Sequence, residues 1–464
     1  MTAAGLTYDT RFRSIRRYQG RRGTTYTVRW TVAGKDHQRT FTTLKLAEAF
    51  RAQLLVAARE GTPFRTADGL PTTLSPPTAA RTWLEHAMDY VNSKWAHASP
   101  RHRRGIAEAL TDITIALVDP TQAPMSETEL RHALYRYAFN MTARSTEPGT
   151  PDAQAMAWLL RRSPALDQLD DAATLRALLN QLALRRDGRP AAASTVTRKR
   201  ATLHSVLEYA VELEQFQTNP LKRVRWKAPL NTDVVDRRVV VNPAQARALL
   251  AAVWESDPAL AAYFACLYYA GLRPAEARNL RADDCSLPDD GWGSLLLTGS
   301  HQTSGGAWTD DARSGEDRGL KHRGRQDSRL VPAHPELVRA LRRHLDTFQL
   351  GRDGRLFVAR TGRAGVPISP PYDNPVSMGT VYRAWHKARR AALDERQVES
   401  LLARRPYDLR HACVSTWLNA GVPPAQVAEW AGHSVEVLLR VYAKCLDGDH
   451  EIILRRIEQA TDEP

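Results

Sequence analysis

Two breaks in residue pattern constrain the architecture more than any single motif. Residues 63–77 are rich in Thr, Pro and Gly, and residues 228–241 follow an Asn219-Pro220 stop and a short cationic strip; both read as linkers. They divide the chain into three stretches of different periodicity, which excludes one continuous core. A length of 464 residues agrees with three units at about 150 residues per domain. The apolar share of 43% is enough for ordinary cores, and no run approaches the ~18 apolar residues of a membrane span. The first residues, Met1 to Arg17, lack the apolar stretch of a secretory signal. Cys266, Cys285, Cys413 and Cys445 are far apart and form no CxxC pair. That argues against a disulfide scaffold or a zinc ribbon and predicts a reducing, cytoplasmic setting.

Lys and Arg number 65 against 51 Asp and Glu, a surplus of +14, so a polyanion is the default partner. Residues 1–62 hold three β-rich segments at 11–18, 25–32 and 37–43, separated by the turns Gly20-Arg21-Arg22-Gly23 and Ala33-Gly34-Lys35-Asp36. A helix over 44–60, stopped by Gly61, covers one face of the three-stranded sheet that results. The other face is predicted to carry Arg11, Arg13, Arg16, Arg17, Arg21 and Arg22 with Tyr18, Tyr26 and Trp30 between them. A thin basic sheet of this kind can lie in a DNA groove; a merely solvated face is the alternative. Residues 78–227 are helical by spacing, with segments at 83–95, 127–137, 153–162, 173–186 and 195–213. The last carries Arg198, Lys199, Arg200 and His204 on one side, and the strip 221–227 adds Arg223 and Arg225 as further DNA-binding candidates. The third unit runs over about 236–464, and the fold class is multidomain, mainly α with small β-sheets.

The third unit carries the chemistry. Residues 261–269 form a nearly continuous apolar helix closed by Gly271. Pro274 then opens a new helix, which places Arg273 at its N-cap, where a guanidinium and free backbone N–H groups together favour an anion. Leu295 to Thr298 reads as a strand, followed by a long polar excursion and a second strand, with Lys321 towards its start and Arg329-Leu330-Val331-Pro332 at its end. The segment Pro406 to Cys413 predicts a helix capped by Asp408 and carrying Arg410, ending at Gly421. Further helices are predicted over 424–431, stopped by Gly432, and from His433-Ser434 through Tyr442. Buried arginine and histidine so close together need anionic partners, and no Asp/Glu cluster nearby can neutralise them, so an incoming phosphate is the economical one.

The residues Gly271-Leu272-Arg273-Pro274-Ala275-Glu276, Leu409-Arg410-His411, Ala431-Gly432-His433 and Tyr442 resemble the tyrosine recombinase (phage integrase) family, with His433 23 residues after Arg410 and Tyr442 nine after His433. The Leu320-Lys321-His322-Arg323 segment, following a long loop, is similar to the integrases of actinobacterial integrative elements. The resemblance implies an arm-type DNA-binding domain over 1–62, a helical, SAM-like core-binding domain over 78–227 and an α+β catalytic domain over 236–464. It implies an enzyme that cuts and rejoins DNA at specific sites through a 3′-phosphotyrosine, integrating and also excising a mobile element, with no metal, no cofactor and no ATP. Tyr442 would be the nucleophile, Arg273 and Arg410 would grip the nonbridging oxygens, Lys321 would protonate the leaving 5′-oxygen, and His433 would hydrogen-bond the phosphate. Glu276 would support Arg273. Implied partners are double-stranded attachment-site DNA, further copies in a synaptic tetramer, and an excision factor; the setting is the bacterial cytoplasm, at the nucleoid.

One position departs from the family pattern. Where a His is usual, three residues before the second arginine, this chain has Tyr407. A phenol is a poor base at neutral pH, and His411 on the same helix points about 100° from Arg410. The base for Tyr442 therefore stays open, with Tyr407 as occupant of the site. Three rivals remain at this level: a transcriptional regulator whose helix-turn-helix is Pro424 to Tyr442, a type IB-like topoisomerase, and a metal nuclease, for which His411 and His433 lack carboxylates at ligand spacing.

Overall fold

The structure is a computed structural model that describes residues 6–20, 23–66, 68–74, 81–229, 234–320, 327–362, 365–442, 445 and 458. Lys321, Arg21 and Arg22 lie outside the described residues. None of the described helices is long and apolar enough to cross a membrane.

The N-terminal stretch builds β1 (Leu6–Thr7), β2 (Thr10–Phe12), β3 (Arg16–Gly20), β4 (Gly23–Val32), β5 (Lys35–Phe41), α1 (Leu44–Arg59) and β6 (Phe64–Arg65). Strand β4 is central: β5 pairs along one edge, while β2 and β3 share the other. The first strand expected from the pattern is thus broken between Phe12 and Arg16. Alternation on β4 turns Val28, Trp30 and Val32 inward against Phe50, Leu54 and Ala57 of α1. Trp30 corrects the sequence reading, which put it on the exposed face. It is 3% exposed, donates from Nε1 to the Gly69 carbonyl at 2.6 Å and packs edge-on against Phe50. Arg16, Arg17 and Tyr18 do face solvent, and Arg13 is exposed beside Asp36 at 3.3 Å. Phe64 is buried in this small core and its strand pairs with β1, so the packing continues past residue 62 into the stretch read as linker.

The second stretch is built on α2 (Trp83–Trp95), α3 (Pro100–Leu117), α4 (Glu127–His132), α5 (Met141–Arg144), α6 (Thr150–Arg162), α7 (Ala172–Leu182) and α8 (Ala193–Glu212). Local signals account for the starts: Thr82 and Glu85 form a capping box on α2, and Ser99 caps α3 with Pro100 in its first turn. Helix α3, not singled out by periodicity, is the centre of this unit, burying Ile106, Leu110 and Ile113 among α2, α7 and α8. Lys199 is a second correction. Its ammonium pairs with Asp112 of α3 at 2.9 Å and its side chain is 10% exposed, so it belongs to the packing rather than to a DNA-facing row. Arg198 is exposed beside Glu108, Arg200 is half-buried, Arg223 is exposed beside Asp170, and Arg225 is exposed.

The third stretch contains α9 (Pro243–Ser256), α10 (Ala261–Tyr269), α11 (Pro274–Ala277), β7 (Cys285–Ser286), β8 (Gly293–Leu297), β9 (Ser300–Thr303), β10 (Gly315–Arg318), β11 (Arg329–Ala333), α12 (Pro335–Thr347), α13 (Met378–Ala392), α14 (Glu395–Glu399), α15 (Asp408–Asn419), α16 (Pro424–Ala431) and α17 (Val435–Tyr442). Apolar all round, α10 is buried among α9, α12 and α15. The sheet runs β11-β8-β7, antiparallel, with Arg329 opposite Leu297 and Val331 opposite Leu295. The second strand starts only at Arg329; the excursion before it holds a separate hairpin, β9 with β10. A smaller cluster joins α15, α16 and α17 through Val414, Leu418, Val427, Leu438 and Tyr442.

The loop of that hairpin docks on the helical stretch. Trp308 is 3% exposed and belongs to the second core, with Trp95 and Tyr135 against its ring. Arg103 of α3 donates to the Trp308 carbonyl at 3.1 Å and to Asp310 at 2.6 Å, and Asn140 donates to the Ala307 carbonyl at 2.8 Å. Truncating a buried Trp costs about 3–5 kcal/mol. Trp308→Ala is therefore expected to lower stability by that amount in chemical denaturation and to raise hydrogen exchange in α3 and in the hairpin loop together; exchange rising in the loop alone would contradict the shared packing.

Candidate active site

Four separated segments converge on one corner at Gly432. Helix α11 starts where Pro274 fixes the backbone, and Glu276 closes a capping box by accepting from the Arg273 backbone N–H at 2.8 Å. The same carboxylate pairs with the Arg273 guanidinium at 2.7 Å and with Arg329 of β11 at 2.8 Å. Arg273 also donates to the Gly432 carbonyl at 2.7 Å. Arg410, on the first turn of α15, is fully buried and donates to the Gly271 and Ala431 carbonyls. Its Nη2 also stands 3.0 Å from His433 Nε2. Since a guanidinium only donates, His433 Nε2 accepts and the ring proton sits on Nδ1.

Gly432 ends α16 in the left-handed region, with φ of +63°. A Cβ there would collide with the Arg329 guanidinium and lie 3.0 Å from Arg273 Nη1, so backbone conformation and crowding both require glycine. Its cap lets the His433 N–H reach back to the Ala428 carbonyl, while Ser434 caps α17 by accepting from the Val437 N–H at 3.2 Å. The corner thereby aims His433 at the arginines, and α17 carries Tyr442 back to them. Tyr442 is 1% exposed, its ring 6.3 Å from that of His433 and its hydroxyl 3.0 Å from His411 Nδ1.

Charge at this corner is unbalanced. Three guanidinium groups meet one carboxylate, and donor nitrogens on the same residues (Arg329 Nε, Arg410 Nε and His433 Nδ1) are buried without an acceptor. Burial and the three arginines hold His433 neutral, at about 3. Burial likewise pushes the Tyr442 phenol well above its ordinary range, against the pull of Arg410. Glu276 is fully buried, yet Arg329 and Arg273 overcome that burial and hold it at about 2. Its folded value lies below the ordinary 4.5, so its stabilisation is present above pH 4.5 and lost as pH falls towards 2. Glu276→Gln leaves Arg329 buried without its counter-charge and is expected to cost about 3–5 kcal/mol near neutral pH. The gap between wild type and variant should narrow between pH 4.5 and 2 in urea unfolding; a constant gap would contradict the ion pairing.

The structure brings together Arg273, Glu276, Arg410, His433 and Tyr442. Tyr407 stands beside them, its ring edge-on to His411 at 5.0 Å and 6.0 Å from the Arg410 guanidinium carbon. Lys321 falls outside the described residues, three positions after the end of β10. Asp408 differs from the sequence expectation. It is the first residue inside α15 rather than its cap, and its carboxylate accepts from the Arg405 backbone N–H at 2.8 Å. The described basic residues that the sequence assigned to DNA binding in the first two stretches lie elsewhere in the fold. Sequence reading missed two members of the site. Arg329 was legible in strand parity, since residues 329, 331 and 333 of β11 are buried while Leu330 is 59% exposed. His411 stood in the quoted motif but was given no role, because its contact lies 31 residues away on another helix.

Among the described residues no group of His, Cys, Asp and Glu could hold a metal ion. Comparison with known proteins finds a match to the model of the phage integrase family over residues 240–447. No curated protein matches the chain. Among solved structures, the Tn1549 transposon integrase (residues 82–397) with a circular intermediate DNA is 15% identical, covering 69% of this chain and 98% of that one at a TM-score of 0.46. The XerH recombinase bound to its difH substrate is 13% identical, covering 79% and 97% at 0.40. The lambda integrase dimer on a core site is 13% identical, covering 90% and 91% at 0.43. The segment that gathers both sequence-predicted arginines, the histidine and the tyrosine around one corner is the segment that matches the phage integrase family.

Proposed function

We propose that this protein cuts and rejoins DNA at attachment sites by transferring a phosphodiester to Tyr442, and that it integrates and excises a mobile element. The observation that carries the site assignment is the surplus of buried positive charge and unmet donors at Gly432, which a DNA phosphate would complete. In this reading Arg273 and Arg410 hold the nonbridging oxygens, where charge concentrates in the transition state. His433, neutral and with Nδ1–H unused, donates to the same phosphate. Tyr442 attacks in line and becomes a 3′-phosphotyrosine, which keeps the energy of the diester, so rejoining needs no ATP. Lys321 is assigned the protonation of the leaving 5′-oxygen. Glu276, held ionised by Arg329, positions Arg273. Incubation with a nicked suicide substrate in EDTA tests the reading directly: a covalent complex that survives denaturation supports it, and DNA binding without adduct would overturn it.

The rest of the chain is assigned to DNA recognition. Residues 1–62 would bind arm sites through the exposed Arg13, Arg16 and Arg17, with Arg21 and Arg22 assigned to the same role from the sequence. Residues 78–227 would bind core sites through Arg198, Arg200, Arg223 and Arg225, and residues 236–464 would be catalytic. Four copies would form the synaptic complex, an excision factor would set direction, and the work would take place in the cytoplasm at the nucleoid. Deleting residues 1–62 is expected to leave core-site binding within about twofold of the full chain while reducing integration by ~10²-fold or more, an avidity effect of two linked sites. Normal integration by the truncated protein would remove the arm-binding assignment.

A further inference from the structure

Among the described residues, the hydroxyl of Tyr442 has one hydrogen-bond partner, His411 Nδ1 at 3.0 Å, with the ring centroids 5.6 Å apart. No hydrogen bond joins Tyr442 to Tyr407, the residue at the position expected to hold a base. Residues 407 and 411 are four apart at the start of α15, so their side chains lie one above the other on the same face. The two rings meet edge-on at 5.0 Å. An imidazole set one turn later along the helix thus reaches the nucleophile that Tyr407 does not bond. Arg410, between them in sequence, turns to His433 and the phosphate corner, so consecutive residues of one helix serve the phosphate and the phenol separately.

We propose that His411 is the general base for Tyr442, with Nδ1 taking the phenolic proton; this rests on Tyr442 being the nucleophile. A lone pair of the phenolic oxygen forms the bond to phosphorus while the proton passes to His411 Nδ1. The P–O5′ bond breaks with its electron pair on O5′, which is protonated by a separate acid, the role given to Lys321. His411 begins neutral with its ring proton on Nε2 and its Nδ1 lone pair facing the phenol. Burial together with Arg405 and Arg410 holds it neutral in the free protein, at about 3. Besides those two arginines, the titratable groups against it among the described residues are Tyr407 and Tyr442. An imidazolium formed there would face Arg410 uncompensated, but a phosphodiester held by Arg410 supplies the missing negative charge. Proton transfer is thereby coupled to DNA occupancy, and the phenol stays protonated until a phosphate is in place.

The test is single-turnover cleavage of a suicide substrate by the full chain from pH 6 to 9, with wild type, His411→Ala and His411→Asn. Wild type is expected to form adduct at Tyr442 at a rate that varies little with pH. Both variants should bind DNA normally and cleave about 10²-fold more slowly at pH 7, the scale of general-base catalysis. Their rates should climb about tenfold per pH unit, as solvent takes over the deprotonation. Added imidazole should restore part of the His411→Ala rate. The Asn variant keeps an acceptor near the Nδ1 position but cannot accept a proton, so it answers even if the Ala variant fails to fold. Wild-type cleavage by His411→Asn, or a loss of rate with no change in pH profile, would overturn the inference while leaving Tyr442 as nucleophile. Absence of any adduct at Tyr442 in the wild-type chain would instead remove the reading beneath it.

Discussion

Tyr442→Phe is expected to bind attachment-site DNA with wild-type affinity and to form no covalent complex, a loss of ~10⁵-fold or more, the scale seen when a nucleophile is removed. The substitution deletes one oxygen. The ring stays packed with Val414, Val427 and Leu438 in the small cluster that joins α15, α16 and α17. The lost hydrogen bond to His411 is worth about 1 kcal/mol, too little to unfold the domain. Binding and chemistry therefore separate cleanly in this variant, and a gel shift beside a denaturing gel reads both. Residual adduct at the wild-type level would show that another group attacks the phosphorus.

Replacing the arginines is expected to give the second-largest loss. Arg273→Ala should reduce cleavage by about 10²–10³-fold with a smaller effect on binding, because the guanidinium contributes most where charge develops on the nonbridging oxygens. Its side chain is 17% exposed, and its removal leaves Glu276 still paired with Arg329, so the fold should hold. Arg410→Ala should lose at least as much activity, and stability with it. Arg410 is fully buried and satisfies the carbonyls of Gly271 and Ala431, and each acceptor left unmet costs about 1–3 kcal/mol. Thermal unfolding distinguishes the two variants: a drop in Tm confined to Arg410→Ala matches the burial, whereas equal drops would mean that Arg273 is equally structural.

What the sequence could and could not reveal follows from the range of the interactions. Helix starts governed by local chemistry were legible, as at Pro274 and Pro424, where proline sets the first turn, and at Gly432, whose positive φ stops α16. The grouping of Arg273, Arg410, His433 and Tyr442 was legible only as a pattern of types and intervals, since no local rule brings α11 to α15. Trp30 was misplaced although its parity with Val28 and Val32 already turns it inward. Lys199 was misplaced because the Asp112 carboxylate that it pairs with comes from a distant segment. The docking of Trp308 on α3 was invisible for the same reason, its partners lying about 200 residues away. His411 shows the limit most clearly: a helical wheel correctly turns it away from Arg410, yet only the return of α17 shows what it turns towards.

Identification of the residue that becomes joined to DNA decides whether Tyr442 is the nucleophile. The full chain is trapped on a suicide substrate in EDTA, digested, and the DNA-linked peptide sequenced by mass spectrometry. A single modified residue is expected, Tyr442, joined to a 3′-phosphate, with a free 5′-hydroxyl on the other strand end. A modified Tyr407, a linkage to serine, or a 5′-linked phosphate would contradict it.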